Sequence, residues 1–176
     1  MEIRQANLKD LLTLQYIGQA TYKQHFSKLW THQGIEEFLI KDFSLEALQI
    51  SLADDQQIWF LIFDENKIAQ GFAKLNLQKY EPHLKKIGTE LQKIYLLDSA
   101  IQKNYSHIFL QTILDFLGND SGSFIYLEVL NNNIRAQKFY KKYHFKEEIE
   151  VPYSTDLYDI GMKIMTRTLS TKSNYE

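Results

Sequence analysis

Residues Leu127–Phe145 read LEVLNNNIRAQKFYKKYHF, and the succession of residue types in this stretch sets the architecture expected of the whole chain. The apolar run ending at Leu130 (SFIYLEVL) reads as a buried strand, and three asparagines follow it. Asn133 stands where a helix N-cap belongs, its side chain able to accept from a backbone amide two or three residues on. NIRAQKFYKKY then has helical character, carrying Ala136, Phe139 and Tyr140. Working upstream, SHIFLQTILDFL is an amphipathic helix and TELQKIYLL a strand, so this half of the chain runs βαβα. Before it, QIWFLIFD and KIAQGFAKLNLQ are strands joined by Asp64, Glu65 and Asn66, a connection short enough for an antiparallel hairpin. Gln78–Lys86, around Pro82, reads as a charged, solvated loop. EIRQA opens the chain as a short strand, and Asn7 is placed to cap the long amphipathic segment LKDLLTLQYIGQATYKQHF. THQGIEEFLIKDF and SLEALQISLA add two helices as a cover, with Ser44 as cap between them. Downstream, FKEEIEV and LYDIGMKIMTRTL read as a closing antiparallel pair. The expectation is an α/β domain leaning towards α+β: a mixed sheet, antiparallel at first, then a βαβ unit with a right-handed crossover, flanked by helices. It occupies 1–169 as one domain, and the polar 170–176 is expected to be a disordered tail.

Composition narrows the function. The chain has 176 residues, with 20 Lys plus Arg against 22 Asp plus Glu and a formal charge of −2, so there is no basic field to attract a phosphate backbone, and nucleic acid is not expected as a partner. Cysteine is absent, which removes disulfides, thiolate nucleophiles and zinc-finger or iron–sulfur ligation. No window approaches the roughly 20 apolar residues of a membrane span, and the amino terminus MEIRQANLKD has no apolar stretch after its charges. A cytoplasmic protein without membrane contact is expected. His25, His32, His83, His107 and His144 show no metal-ligand spacing, so no metal is expected, and Ser99, Ser106 and Ser121 sit in no nucleophile-elbow context.

The Leu127–Phe145 stretch resembles the last conserved motif of the GCN5-related N-acetyltransferases, which runs strand, Asn, two residues, Ala, two residues, Phe-Tyr, three residues, Gly-Phe. Asn133, Ala136, Phe139, Tyr140 and Phe145 match, and His144 stands at the glycine position. Upstream, TELQKIYLL resembles the family's central strand. The resemblance runs from EIRQA to the closing pair, and the two helices between Gly34 and Ala53 are most similar to those of the PaiA-type polyamine acetyltransferases.

That resemblance implies acetyl-CoA as cosubstrate and assigns roles. Acetyl transfer from a thioester needs a neutral amine, a polarised carbonyl and a proton for the departing thiolate. Tyr140, a phenol of ordinary pKa about 10 against about 8.5 for a thiol, is the implied general acid; packing in a core is the alternative for a Phe-Tyr pair. Asn133 is implied in contact with the pantetheine arm, beside its capping role. Backbone groups of Ile94, Tyr95 and Leu96 are implied in binding the acetyl group, and Lys142 in reaching a CoA phosphate, with ordinary solvent exposure as its alternative. Glu90 is the candidate general base acting through water, and Gln92 stands where many relatives carry a second acid.

One element departs from the family. The loop between central strand and next helix should carry Gln or Arg, two residues, Gly, one residue, Gly or Ala, so that backbone amides and a helix N-terminus meet the CoA pyrophosphate. Here the segment is Ile101, Gln102, Lys103, Asn104, Tyr105, Ser106, and no glycine lies between Gly88 and Gly118. Either Asn104 takes the left-handed conformation, Ser106 caps the helix and Lys103 adds charge, or Tyr105 and the β-carbons obstruct the pyrophosphate. His107, near this loop, is a further candidate phosphate contact. The resulting expectation is an acetyl-CoA-dependent N-acetyltransferase of a small primary amine, with a polyamine suggested by subfamily likeness and by Glu36, Glu37, Asp42 and Glu46 in the helical cover. The alternatives are a catalytically impaired binding or interaction protein on the same fold and an acetyltransferase of protein amino groups. The apolar closing strands leave a homodimer open.

Overall fold

A computed structural model describes residues 1–118 and 124–169; Ser121 and the 170–176 tail lie outside the described residues. In chain order the elements are β1 (Glu2–Gln5), α1 (Leu11–Phe26), α2 (His32–Phe43), α3 (Leu45–Ala53), β2 (Gln57–Phe63), β3 (Ala69–Glu81), β4 (Lys86–Leu96), α4 (Asp98–Gln102), α5 (Tyr105–Leu117), β5 (Phe124–Leu130), α6 (Ile134–Lys142), β6 (Lys146–Val151) and β7 (Met162–Thr168). The strands form one sheet in the order β1-β2-β3-β4-β5-β7-β6, antiparallel except for β4 against β5. This is the mixed sheet with a βαβ crossover from β4 to β5 expected from the sequence; a second crossover, through α6, carries the chain from β5 past β7 to β6.

Alternation along β2 explains why the sheet is sandwiched. Phe60 and Ile62 enter a core shared with α4, α5 and α6, built on Leu75, Leu91, Phe109, Leu110, Ile125 and Leu127. Trp59 and Leu61 enter the opposite core, with Leu14, Ile17, Leu39, Phe43 and Leu48 of the first three helices. A strand buried on both faces is a continuous apolar run rather than a polar alternation, and QIWFLIF is one. Thr31 and Ser44 cap α2 and α3 through side-chain bonds to the amides of Gly34 and Ala47.

Four expectations change in detail. Asn7 caps a single 3-10 turn, Leu8–Asp10, that leads into α1; the Asp10 carboxylate accepts from the Asn7 amide and from both terminal nitrogens of Arg4, which lowers its pKa. Gln78–Lys86 is largely hairpin rather than loop. Gln78 takes a left-handed φ of 48° at a bulge, which lets β3 and β4 resume pairing at Lys79↔Gly88, and the buried Glu81 carboxylate closes the turn by accepting from the Leu84 amide. The short helix α4 follows β4 where no element was expected. The last strand begins at Met162, because Leu157–Gly161 belongs to the β6–β7 connection.

Candidate active site

The site is made by a separation of strands. β4 and β5 pair at Thr89↔Ile125 and Glu90↔Tyr126 and then part, while β4 stays bonded to β3 as far as Leu96. Ile94, Tyr95 and Leu96 therefore border a gap in the sheet on their β5 side, where unpaired backbone groups are available to a ligand. Gln92 is the extra residue of a bulge between Leu91 and Lys93, and its Oε1 is buried without a hydrogen-bond partner among the described residues. The Leu96 carbonyl is already engaged: His25 Nε2, at the end of α1, lies 2.8 Å from it. Nothing in the sequence pattern around His25 announced that contact.

At the mouth of the gap, the glycine-poor loop has folded as a helix-to-helix turn. Gln102 ends α4, Lys103 is its C-cap, and Asn104 sits at φ 65°, ψ 19°, the left-handed conformation that Asn tolerates better than most residues. Ser106 lies within the first turn of α5 and is not the cap; Asn104 holds that position, without a side-chain cap bond. The Tyr105 and Ser106 amides occupy the first turn of a 13-residue helix, where they have no intrahelical acceptor. Tyr105 is turned into the core, its hydroxyl 3.3 Å from Glu65 in the β2–β3 turn. Lys103 also leans to Glu65, at 3.9 Å, and is half exposed. The ring that threatened to block an anion at this helix end thus packs towards the β2–β3 side. His107 is paired with Tyr143 of the α6 C-cap, Nδ1 to hydroxyl 2.9 Å, which ties α5 to α6.

The opposite flank of the gap is α6. Asn133 caps it, accepting from the Ala136 amide at 3.1 Å. The buried Gln137 donates to the carbonyls of both Leu130 and Asn131, fixing the turn from β5 into the helix. Tyr140 packs edge-on against Phe139 and tilted against Phe145; burial raises its pKa, and its hydroxyl makes no hydrogen bond among the described residues. It is close enough to Tyr95 that charge on its phenol would raise the pKa of the latter. His144, at the family's glycine position, takes φ 63°. Lys142 is exposed in the last turn of α6.

The third wall lies on the sheet face covered by α1 and α2. Ile125, Leu127 and Val129 of β5 point into the core with α5, so Tyr126 and Glu128 point the other way. Glu90 shares that face and is committed: its carboxylate accepts from Asn76 Nδ2 and from Lys79 Nζ at 2.7 Å. Glu128 is exposed to the groove, has no ion-pair partner among the described residues, and is held above the ordinary carboxylate range by partial desolvation and by Glu90. Tyr95, Tyr22, Phe26 and Phe38 form an aromatic wall, with Tyr22 stacked on Phe38 at 4.0 Å. Tyr153, in the β6–β7 connection, feels Glu128. That connection is latched across the groove, because Asp156 accepts from the Thr31 amide and hydroxyl at the start of α2. The acids expected to serve a polyamine are occupied elsewhere: Glu36 pairs with Lys23, Glu37 accepts from Gln33, and Asp42 pairs with Lys93. Glu46 lies in the first turn of α3.

A strand gap, the N-terminus of a long helix and a phenol without a hydrogen bond among the described residues thus belong to one region of the fold. A model of the acetyltransferase (GNAT) family matches residues 19–145, and the chain belongs to that family, which uses acetyl-CoA as cosubstrate. The fold is similar to that of the PaiA N-acetyltransferase of Thermoplasma acidophilum solved with coenzyme A, at 23% identity and TM-score 0.74, covering 95% of this chain and 98% of that one. It is also similar to the ribosomal-protein-alanine N-acetyltransferase of Brucella melitensis, at 16% identity and TM-score 0.75, covering 96% and 100%. The spermidine N-acetyltransferase of Vibrio cholerae matches at 16% identity and TM-score 0.69, covering 98% and 96%.

Proposed function

We propose that the chain is an active acetyl-CoA-dependent N-acetyltransferase of a small primary amine, with Tyr140 as general acid and Glu128, rather than Glu90, as the proton acceptor. The observation that carries this reading is the parting of β4 from β5 with an unpaired carboxylate on one side of the gap and an unpaired phenol on the other.

Acetyl-CoA supplies the thioester carbon, and the chain supplies position and protons. The backbone of Ile94 and Tyr95 holds the acetyl end, Asn133 borders the pantetheine path, and the amides of Tyr105 and Ser106, with Gln102, Lys103 and Asn104 around them, receive the pyrophosphate. Lys142 is available to a further phosphate. Glu128 takes a proton from the acceptor ammonium, directly or through one water; the freed amine forms the N–C bond as the C–S bond breaks. Tyr140, kept protonated by burial, gives its proton to the leaving sulfur and is reprotonated through water by the second proton that the nitrogen sheds as it becomes an amide. Glu90 fits this role less well, because taking a proton would cost it the ion pair with Lys79.

The test is acetyl-CoA-dependent thiol release with a panel of primary amines. Turnover is expected, and Tyr140→Phe should lower kcat by about 10²-fold or more while acetyl-CoA binding persists. Binding of acetyl-CoA with no turnover for any small amine would instead favour the interaction-protein reading, and turnover confined to peptide amino termini would favour a protein acceptor.

A further inference from the structure

We infer that the acceptor carries, besides its amine, an anionic group, carboxylate or phosphate, and that Lys74 is the residue that receives it; this rests on the acetyltransferase reading above. Lys74 lies on β3 directly opposite Lys93 of β4, on the sheet face that also bears Glu90 and Glu128. The cations on this face are accounted for one by one. Lys93, 8% exposed, is bound by Asp42 of α2 at 2.7 Å, and Lys79 is bound by Glu90 at 2.7 Å. Asp54, at the end of α3, senses Lys74 but is held by the Gln56 amide and Gln57 Nε2. Among the described residues Lys74 has no carboxylate within ion-pair distance and no hydrogen bond. Its ammonium rests over the Trp59 ring, 5.2 Å from the centroid.

A half-buried cation beside a second cation, with an aromatic face as its contact, is electrostatically incomplete. Burial and Lys93 together lower its pKa to about 8, against the opposing pull of Asp42 and Glu90. An anion placed there regains a charge-assisted hydrogen bond and restores the ammonium. This sheet face therefore presents a carboxylate at Glu128 on β5 and a cation at Lys74 on β3, with the neutralised pairs Lys93–Asp42 and Glu90–Lys79 between them. This is the charge pattern of a zwitterion, and it opposes an acceptor that is cationic throughout.

The experiment measures acceptor binding calorimetrically to the chain saturated with CoA, so that no turnover is required, and kcat/KM separately with acetyl-CoA. The probes are 4-aminobutyrate, L-glutamate and phosphoethanolamine against putrescine and spermidine. The anionic amines are expected to bind more tightly, the first two against the third distinguishing carboxylate from phosphate. Lys74→Met should shift the preference for anionic amine over diamine by about tenfold or more, Lys74→Arg should retain it, and CoA affinity should report that each variant is folded. Equal binding of both amine classes, a preference for the polyamines, or an unchanged ratio in Lys74→Met would overturn the assignment. Preferential binding lost in Lys74→Met, but with no turnover, would uphold Lys74 and sink the catalytic reading instead.

Discussion

In the roles proposed above, Tyr140 as acid and Glu128 as base have opposite requirements, and the shift of each suits its role. Desolvation raises both pKa values, which keeps the proton on the proposed acid and makes the proposed base a stronger one. A carboxyl whose pKa is raised in the folded state costs stability as pH rises from its unfolded value through its folded one. Glu128→Gln should therefore make the protein more stable at neutral pH in chemical denaturation while removing the acidic limb of the kcat/KM profile. Loss of that limb in Glu90→Gln but not in Glu128→Gln would reverse the assignment. Two of the five non-glycine residues with left-handed backbone among the described residues, Asn104 and His144, stand where the motifs that the sequence resembles carry glycine. His144→Gly should raise stability by about 1 kcal/mol, measured as a shift in urea midpoint, and Asn104→Val should lower it by a similar amount; a destabilised His144→Gly would mean that the imidazole contributes packing that outweighs its backbone strain.

Elements, rather than single residues, build the acceptor side. The β6–β7 connection reaches α2 through Asp156, whose carboxyl is held below the ordinary range by the Thr31 hydroxyl and amide. Gly34 has no side chain because a β-carbon there would collide with that carboxylate. At the other end of the connection Gly161 takes φ 74°, and a β-carbon would lie 2.6 Å from Asn131 Nδ2. Cutting the tie with Asp156→Ala should raise KM for the amine while leaving acetyl-CoA affinity unchanged, since the latch closes one side of the gap and the α5 loop the other. Equal loss of both affinities would show that the latch supports the whole fold.

At the scale of the molecule, the sheet between two cores holds the gap open, and much of that was legible in the sequence. The apolar run of β2, the caps at Ser44 and Asn133, and the Asn-to-Phe spacing of α6 are local signals, and local signals survive into the fold. What was not legible depends on contacts distant in sequence. Glu128 looked like one polar residue in a buried strand until the parting of β4 and β5 gave it a groove to face. The cover acids looked available until Lys23 and Lys93 were seen to pair with two of them. His25 meets Leu96 across 71 residues. The same long-range assembly sets a pH response: Lys74 is shifted from 10.5 to about 8, so the cost of keeping it charged is full below 8 and fades as pH rises towards 10.5. Relative to Lys74→Met, the native chain should gain stability across that window, read from denaturation midpoints at successive pH values; a flat difference would mean that its ammonium is fully solvated.

The central claim is that a pyrophosphate loop without glycine, held by left-handed Asn104 and by an inward-turned Tyr105, still receives acetyl-CoA. Calorimetric titration of the native chain with acetyl-CoA tests it most directly. Saturable binding at one site per chain, little changed in Asn104→Gly, is the predicted result. Absence of binding in the native chain, regained in the double variant Asn104→Gly, Ser106→Gly, would contradict it and show that the lost glycines closed the site.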